Sequence, residues 1–415
     1  MKKIIALLLA CMMLFLTACN QTPPNETTSG NPQNQEQPKD SDWKDMIIKN
    51  GGANYLLDIP SRVVFSQGGY NFYYSKADGN AYVYCFDPLC DHSGDKCLAH
   101  PLYNGMTRKI AGFALFSTVF INNRFYGAAS HGQIYSFAFD GNDLRIEYGQ
   151  DSYTQEEVNE MQGYWNQNIR AYGPYIYIRL NADENGNPCT LRFNTETKEM
   201  ENLTEKTDNF IHPVFFFNEE IYGRGADHLW YKTDLELKEM QSIETMPSGF
   251  VFYGSKFFET AYDETDKTMG LQVIDMKTGE KSLISNEMLG LEAPKRYCIV
   301  AADENYVYFY PYEKILLGTN VDNKGREFKV YKENEGKLYR VKHDGTECVC
   351  IYDNPNFEFD YGGTAVIAGD QFVINGRQSY LDDNGYAHRT NITLKAGTIA
   401  PDGTIEKFED VELIY

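Results

Sequence analysis

Tryptophan is scarce in this 415-residue chain, with three residues against 31 tyrosines and 25 phenylalanines. Basic residues are also in deficit: 38 Lys and Arg face 59 Asp and Glu, for a net charge of −21. An acidic surface of this kind disfavours nucleic acid and anionic lipid headgroups as partners. No long stretch of helical periodicity is visible, which argues against a helical bundle. The signatures of common hydrolases are missing too. There is no Gly-x-Ser-x-Gly elbow, no His-Glu-x-x-His, and no Ser-x-Asp-x-Gly-x-x-Trp box. Carboxylates are so numerous that any acid/base pair can be drawn and none is diagnostic. What is abundant is tyrosine, phenylalanine and glycine (34), a mixture that points to many short strands joined by tight turns.

The N-terminus opens Met1-Lys2-Lys3 and continues into an uncharged apolar run over 4–16. This is the n-region and h-region of an export signal, too short to span a membrane comfortably. The run ends in Leu16-Thr17-Ala18-Cys19, which resembles the lipobox of bacterial lipoprotein precursors. The resemblance implies cleavage after residue 18, a diacylglycerol thioether on Cys19, and a further acyl chain such as palmitate on the new amino terminus. An ordinary secretory signal or an uncleaved anchor is the bland alternative. Each buried CH₂ contributes about 0.8 kcal/mol, so two or three chains hold firmly. The signal carries two lysines and no acid, so its removal takes the net charge from −21 to −23. Residues 20–42 are rich in Asn, Gln, Pro, Thr and Ser and nearly free of apolar side chains. Such a segment is expected to stay disordered and to act as a tether of roughly 25 Å reach. The expected organisation is a signal at 1–18, a lipid-anchored linker at 19–42 and one all-β body at 43–415, outside the cytoplasm at the membrane surface.

The body carries a two-part repeat of about fifty residues. The first part is a turn followed by a short aromatic or aliphatic strand, as in Asn122-Asn123-Arg124-Phe125-Tyr126, Gly173-Pro174-Tyr175-Ile176-Tyr177-Ile178 and Asn218-Glu219-Glu220-Ile221-Tyr222. The second is an alternating strand that runs into Asp or Asn. These turn residues are Asp87, Asp140, Asn194, Asp234, Asp275, Asp344 and Asp402. Asp and Asn suit tight turns because their side chains bond the backbone two residues on. Seven such units, each unable to bury both faces of its own small sheet, predict a seven-bladed β-propeller. Six or eight blades fit the same scatter, and a pair of β-sandwiches is the alternative architecture. A ring-closing strand is not evident, although 43–64 offers one to the C-terminal blade.

Units such as Lys337-Leu338-Tyr339-Arg340-Val341-Lys342-His343-Asp344-Gly345-Thr346 resemble blades of the YWTD and DUF5050 types of β-propeller. Leu229-Trp230-Tyr231-Lys232-Thr233-Asp234 is similar but departs from the Tyr-Trp-Thr-Asp tetrapeptide. The resemblance covers most of 70–410 and implies a propeller with a binding role, without naming a ligand.

Cys85, Cys90, His92 and Cys97 form Cys-x4-Cys-x-His-x4-Cys. Three thiolates and an imidazole suffice for a closed, structural tetrahedral Zn²⁺ site. The spacing is not that of common zinc fingers, and it resembles a cysteine-rich element of propeller lipoproteins from Gram-positive anaerobes. Export favours a disulfide instead, and inert thiols are the third reading. Seven cysteines follow Cys19, so at least one is unpaired or binds metal. Cys348 and Cys350, two apart on a strand, share a face and cannot easily bridge each other.

Asn181-Ala182-Asp183-Glu184-Asn185-Gly186 begins like a calcium loop, but Arg192 stands where the closing Glu belongs, so a polar hairpin tip is expected. Asp382-Asp383-Asn384-Gly385 reads the same way. Insertions at 313–336 and 378–391 are expected to project between strands, where propellers build binding surfaces. Tyrosines there and on the blade tips, Tyr312, Tyr331, Tyr380 and Tyr386, fit either sugar stacking or packing between blades. The expected function is a cell-surface binding propeller for an extracellular glycan, peptide or protein. An envelope scaffold and an extracellular carbohydrate-active enzyme are the alternatives, and no catalytic residue can be named.

Overall fold

In a computed structural model the described residues are 56–59, 62–67, 70–85, 90, 118–128, 133–138, 143, 145–149, 165–180, 187–243, 251–263, 267–292, 296–360 and 365–414. All lie in the unit Trp43–Tyr415. They form seven small sheets, antiparallel but for one closing strand, the blades of a β-propeller, as the repeat predicts. Blade 3 shows the plan: Trp165–Tyr172, Tyr175–Leu180, Cys189–Asn194 and Met200–Asn202 pair in sequence order. Blade 4 repeats it with His212–Phe217, Glu220–Arg224, Trp230–Asp234 and Gln241–Ser242, and the strands within 118–148, 251–284, 296–353 and 357–410 form blades 2, 5, 6 and 7. Among the described residues no helix is long and apolar enough to cross a membrane.

The turn chemistry explains the repeat. After the third strand, the side-chain oxygen of Asn194 accepts from the Glu196 N–H at 2.8 Å, and Asp234 accepts from Glu236 at 3.0 Å. Asp275 takes the N–H of Lys277 (2.8 Å), Asp344 that of Thr346 (2.9 Å) and Asp402 that of Thr404 (2.9 Å). One short acceptor therefore closes the same bend in five blades. The expected turns at Asp87 and Asp140 lie outside the described residues. Between first and second strands, Asn122-Asn123 and Asn218-Glu219 hold positive φ at both positions (48° and 61°, 51° and 61°), the demand of a two-residue hairpin turn.

Among the described residues, apolar clusters join successive blades, because each sheet is covered on both faces by its neighbours. Val119, Ile121 and Tyr126 of blade 2 meet Ile176, Ile178 and Phe193 of blade 3. Tyr177 packs with Phe216 and Ile221 of blade 4, and Phe215 and Trp230 with Phe257 of blade 5. Blades 5 and 6 meet through Phe258 and Phe309, and blades 6 and 7 through Tyr310 and Phe359. Burial on both faces explains why third strands such as Cys189–Asn194 are buried at nearly every position.

The ring closes differently from the sequence expectation. Arg62–Gln67, Tyr70–Ser75 and Ala81–Val83 build blade 1, with Leu56–Ile59 added on the free edge of Arg62–Gln67. Residues 56–64 thus belong to the first blade and not to the last. The closing strand is C-terminal: Leu413–Ile414 pairs parallel with Ala81–Val83, in the place of the missing fourth strand. Val63, Phe65 and Phe72 pack on Val366, Val373 and Leu394 of blade 7, and Tyr84 meets Phe125 of blade 2 edge-on at 6.0 Å. Two residues beyond the last repeat carry too little pattern to be read in advance.

In this meander the second strands end on one face of the ring, here called the upper face. The first strands also start there. Both sequence insertions belong to it.

Candidate functional site

The insertion in blade 6 is a β-hairpin, Ile315–Val321 paired with Glu327–Lys332. In blade 7 the second strand, Gln371–Leu381, runs past its sheet and folds back as Ala387–Arg389. Both tips use the same device. Asp322 Oδ1 accepts from the N–H groups of Lys324 (2.8 Å) and Arg326 (2.9 Å), and Asp382 Oδ1 from those of Asn384 and Tyr386 (both 2.9 Å). Asp382–Gly385 is therefore a hairpin tip, as expected, and its carboxylate is occupied. His388 at 2.9 Å, with the Tyr386 N–H, holds the Asp382 carboxyl below its usual pKa.

The two hairpins touch. Asn320 Nδ2 donates to the Ala387 carbonyl at 3.1 Å, Thr319 bridges Tyr386, and Gly318 lies so close to Leu381 that a Cβ would stand 2.6 Å from it. Half of the large exposed hydrophobic side chains among the described residues sit here: Leu316, Val321, Phe328, Tyr380, Leu381, Tyr386 and Ile392. Tyr380 stacks on His388, and Tyr380 and Tyr386 are 39% and 44% exposed, so neither is buried between blades. Tyr312 and Tyr331 are half-buried beside the Arg296 guanidinium (5.4 Å) and the Lys314 ammonium (4.6 Å).

A buried polar hub carries the hairpins. Glu358, fully buried on Phe357–Phe359, accepts from Arg377 Nε (3.0 Å), Ser379 Oγ (2.7 Å), Arg389 Nε (3.1 Å) and the Glu333 N–H (3.1 Å). Burial alone raises its pKa, but the bonds from Arg377, Ser379 and Arg389 outweigh that and keep the carboxyl below its ordinary value. Asn334 adds a side-chain clasp, taking the Phe359 N–H (3.2 Å) and donating to its carbonyl (3.0 Å). Lys332 Nζ donates to the Pro355 carbonyl at 2.8 Å.

At the junction of blades 3 and 4 the upper face opens into a cleft of about 400 Å³. Arg179 and Pro188 line it from blade 3, with Phe210 from the link between blades, and His212, Val214, Arg224 and His228 from blade 4. Arg170 lies beneath, its Nε bonded to the Val214 carbonyl (3.2 Å) and one Nη to that of Ile169 (2.8 Å). Burial lowers its pKa to about 10. Arg179 Nη1 lies 3.3 Å from His212 Nδ1, which makes Nδ1 the acceptor and places the imidazole proton on Nε2. That Nε2 and Arg179 Nε are buried and have no hydrogen-bond partner. Burial, then the charges of Arg179, Arg170 and Arg224, push the His212 pKa down to about 4. Arg224 stands over the Trp230 ring at 5.4 Å. No carboxylate of the described residues pairs with Arg170, Arg179 or Arg224. Asp227, in the same loop, is committed to the Leu229 N–H (3.0 Å) and the Tyr231 hydroxyl (2.7 Å).

No known family profile matches the chain, and no curated protein does. Solved structures are similar only in fold. An oligogalacturonate lyase from Vibrio parahaemolyticus aligns at TM-score 0.45 and 10% identity, over 86% of this chain and 92% of that one. A post-proline cleaving enzyme from Rickettsia typhi aligns at 0.41 and 11%, over 71% of this chain, which spans only 46% of the enzyme. The computationally designed protein Ika8 aligns at 0.38 and 12%, over 86% and 97%.

Of the residues singled out in the sequence, Cys85 and Cys90 are half-buried against the core between blades 7 and 1. His92, Cys97, Cys19 and the 181–186 loop lie outside the described residues. No metal-holding group of three His, Cys, Asp or Glu occurs among the described residues. Cys348 is half-buried, with its thiol pushed up to about 11 by burial and then by Cys350, while Cys350 is exposed and donates to the Tyr352 carbonyl at 3.3 Å. The cleft arginines were not singled out from sequence. One signal was available: Arg179 and Arg224 fall at the same upper end of consecutive second strands in a chain short of basic residues.

Proposed function

We propose that this protein is a lipid-tethered recognition propeller on the outer side of a membrane, and that the paired hairpins of its upper face bind a polypeptide ligand. The observation that carries the reading is the coupling of the two insertions into one exposed apolar surface. An exposed apolar patch held rigid by a buried ionic hub is a cost to solubility that a partner removes. Aliphatic Leu316, Val321 and Leu381 beside Phe328 and Tyr386 suit a polypeptide better than a sugar ring, which stacks on aromatics and needs polar partners for its hydroxyls. The signal-like run over 4–16 and Cys19 support tethering, with 20–42 as the spacer. In the same reading Cys85, Cys90, His92 and Cys97 staple the first blade through structural zinc or a disulfide. Zinc stoichiometry and thiol counting, repeated for Cys97→Ser, separate those two.

The test is site-specific photo-crosslinking in the full anchored protein. A photoreactive residue at Phe328 or Tyr386 gives a discrete polypeptide adduct that Leu381→Asp abolishes. The same probe at Tyr253, 43% exposed beside a lower-face turn, gives none. Equal adducts from both faces contradict the reading, and glycan-array binding that depends on Tyr380 and Tyr386 would replace the polypeptide with a sugar.

A further inference from the structure

The cleft between blades 3 and 4 is independent of the hairpins, and its chemistry is one-sided. It is lined by Arg179, His212, Arg224 and His228, and no carboxylate of the described residues pairs with Arg179, Arg224 or His212; Asp227 faces only His228. Elsewhere several guanidiniums are neutralised by carboxylates, although Arg340 Nε is also buried without a partner. Arg192, 8% exposed, pairs with Glu201 at 2.6 Å and with Glu236, and Arg377 and Arg389 converge on Glu358. The chain has 59 acidic residues, yet none of those described pairs with the cleft's guanidiniums.

Leaving buried donors unmade costs free energy, and like charges held together cost more. That cost is recovered when an acceptor-rich anion enters. Arg179 Nε and the His212 Nε2–H are the donors in waiting, with the Arg224 guanidinium steadied over Trp230. The apolar part of the lining, Pro188, Phe210 and Val214, gives a flat body something to pack on. About 400 Å³ accommodates one ring with an acidic substituent and excludes a folded partner.

We infer that this cleft is a binding site for a small organic anion, a sugar-sized ring bearing one carboxylate or phosphate held by Arg179, Arg224 and His212. Arg170, bonded to backbone carbonyls beneath the cleft, contributes field and not contact. The ligand's oxyanion supplies a counter-charge that the described residues do not, and the net charge of −21 disfavours diffuse anion binding. His212 adds a pH dependence. The charged groups facing it are Arg179 on the neighbouring second strand, Arg170 on the first strand of blade 3 and Arg224 on its own sheet, and all oppose its protonation. A bound anion relieves that opposition, so binding takes up a proton and strengthens as pH falls from 7.5 towards 5.5.

The experiment is calorimetric titration of the mature protein with glucuronate, glucose 6-phosphate and glucose at low ionic strength. Either anion binds and neutral glucose does not; which of the two is tighter assigns carboxylate or phosphate. Arg179→Gln and Arg224→Gln each weaken binding about 10- to 100-fold, the range for losing a charge-assisted bond. Arg326→Gln, the same charge change on a hairpin tip with its side chain 73% exposed, leaves it intact. His212→Gln flattens the pH dependence. Thermal melts of each variant show that the body is folded. Failure of both anions to bind, equal binding of glucose, or binding unchanged in Arg179→Gln and Arg224→Gln overturns the inference. Hairpin crosslinking is unaffected by any of these outcomes.

Discussion

Two arginine clusters lie on the upper face, and they are built on opposite principles. Around Glu358, two guanidiniums, a hydroxyl and a backbone N–H converge on one fully buried carboxylate. In the cleft of blades 3 and 4, Arg170, Arg179 and Arg224 gather with no carboxylate partner among the described residues, and two buried donor nitrogens stay unmade. The first arrangement is internally complete and fixes two hairpins to the ring. The second is complete only with something added. The difference teaches how to tell scaffold from site when residue types are the same: by whether the hydrogen-bond account closes.

The largest effect that would test this contrast is in the hub. Glu358→Gln leaves Arg377 and Arg389 without their shared counter-charge and should destabilise the body by about 3–5 kcal/mol in urea denaturation. A loss below 1 kcal/mol would mean the hub is not structural. Acid separates the two regions next. His212 has a depressed folded pKa, so the stability tied to its neutral form is complete above pH 6.5 and is lost as pH falls towards about 4. Glu358 is also depressed, from 4.5, so its contribution holds down to that pH and disappears only below it. Melting curves from pH 7 to 5 should therefore fall by on the order of 2 kcal/mol more in the wild type than in His212→Gln, which keeps the fall due to His343, a second histidine depressed by burial. Arg179→Gln gives a smaller effect of opposite sign. Removing one charge from an unneutralised group should stabilise the ligand-free protein by about 0.5–1 kcal/mol, where a structural arginine would destabilise. The smallest change is at a hairpin tip: Asp322→Ala removes a local side-chain acceptor and should cost about 0.5–1 kcal/mol, read as faster amide exchange in 315–332 alone.

Features whose physics is local were legible in the sequence. Asn194, Asp234, Asp275, Asp344 and Asp402 bond the backbone two residues away, so their spacing, with that of Asp87 and Asp140, pointed to seven blades, give or take one, before any packing was known. The insertions were legible as excess length within a repeat. Features that exist only after blades pack were not. Leu413–Ile414 closes the ring by meeting a strand more than three hundred residues earlier. Glu358 is one acid among 59, and only the fold brings Arg377 and Arg389 to it. The cleft draws on four strands between 165 and 224, and its arginines become a cluster through blade-on-blade contact.

The contrast between the clusters can be seen directly with a heavy oxyanion. In crystals of the mature protein soaked in millimolar selenate, anomalous scattering should place selenium between Arg179, Arg224 and His212, with none at Arg377 and Arg389. Selenium at the Glu358 hub, or none in the cleft, would contradict the account.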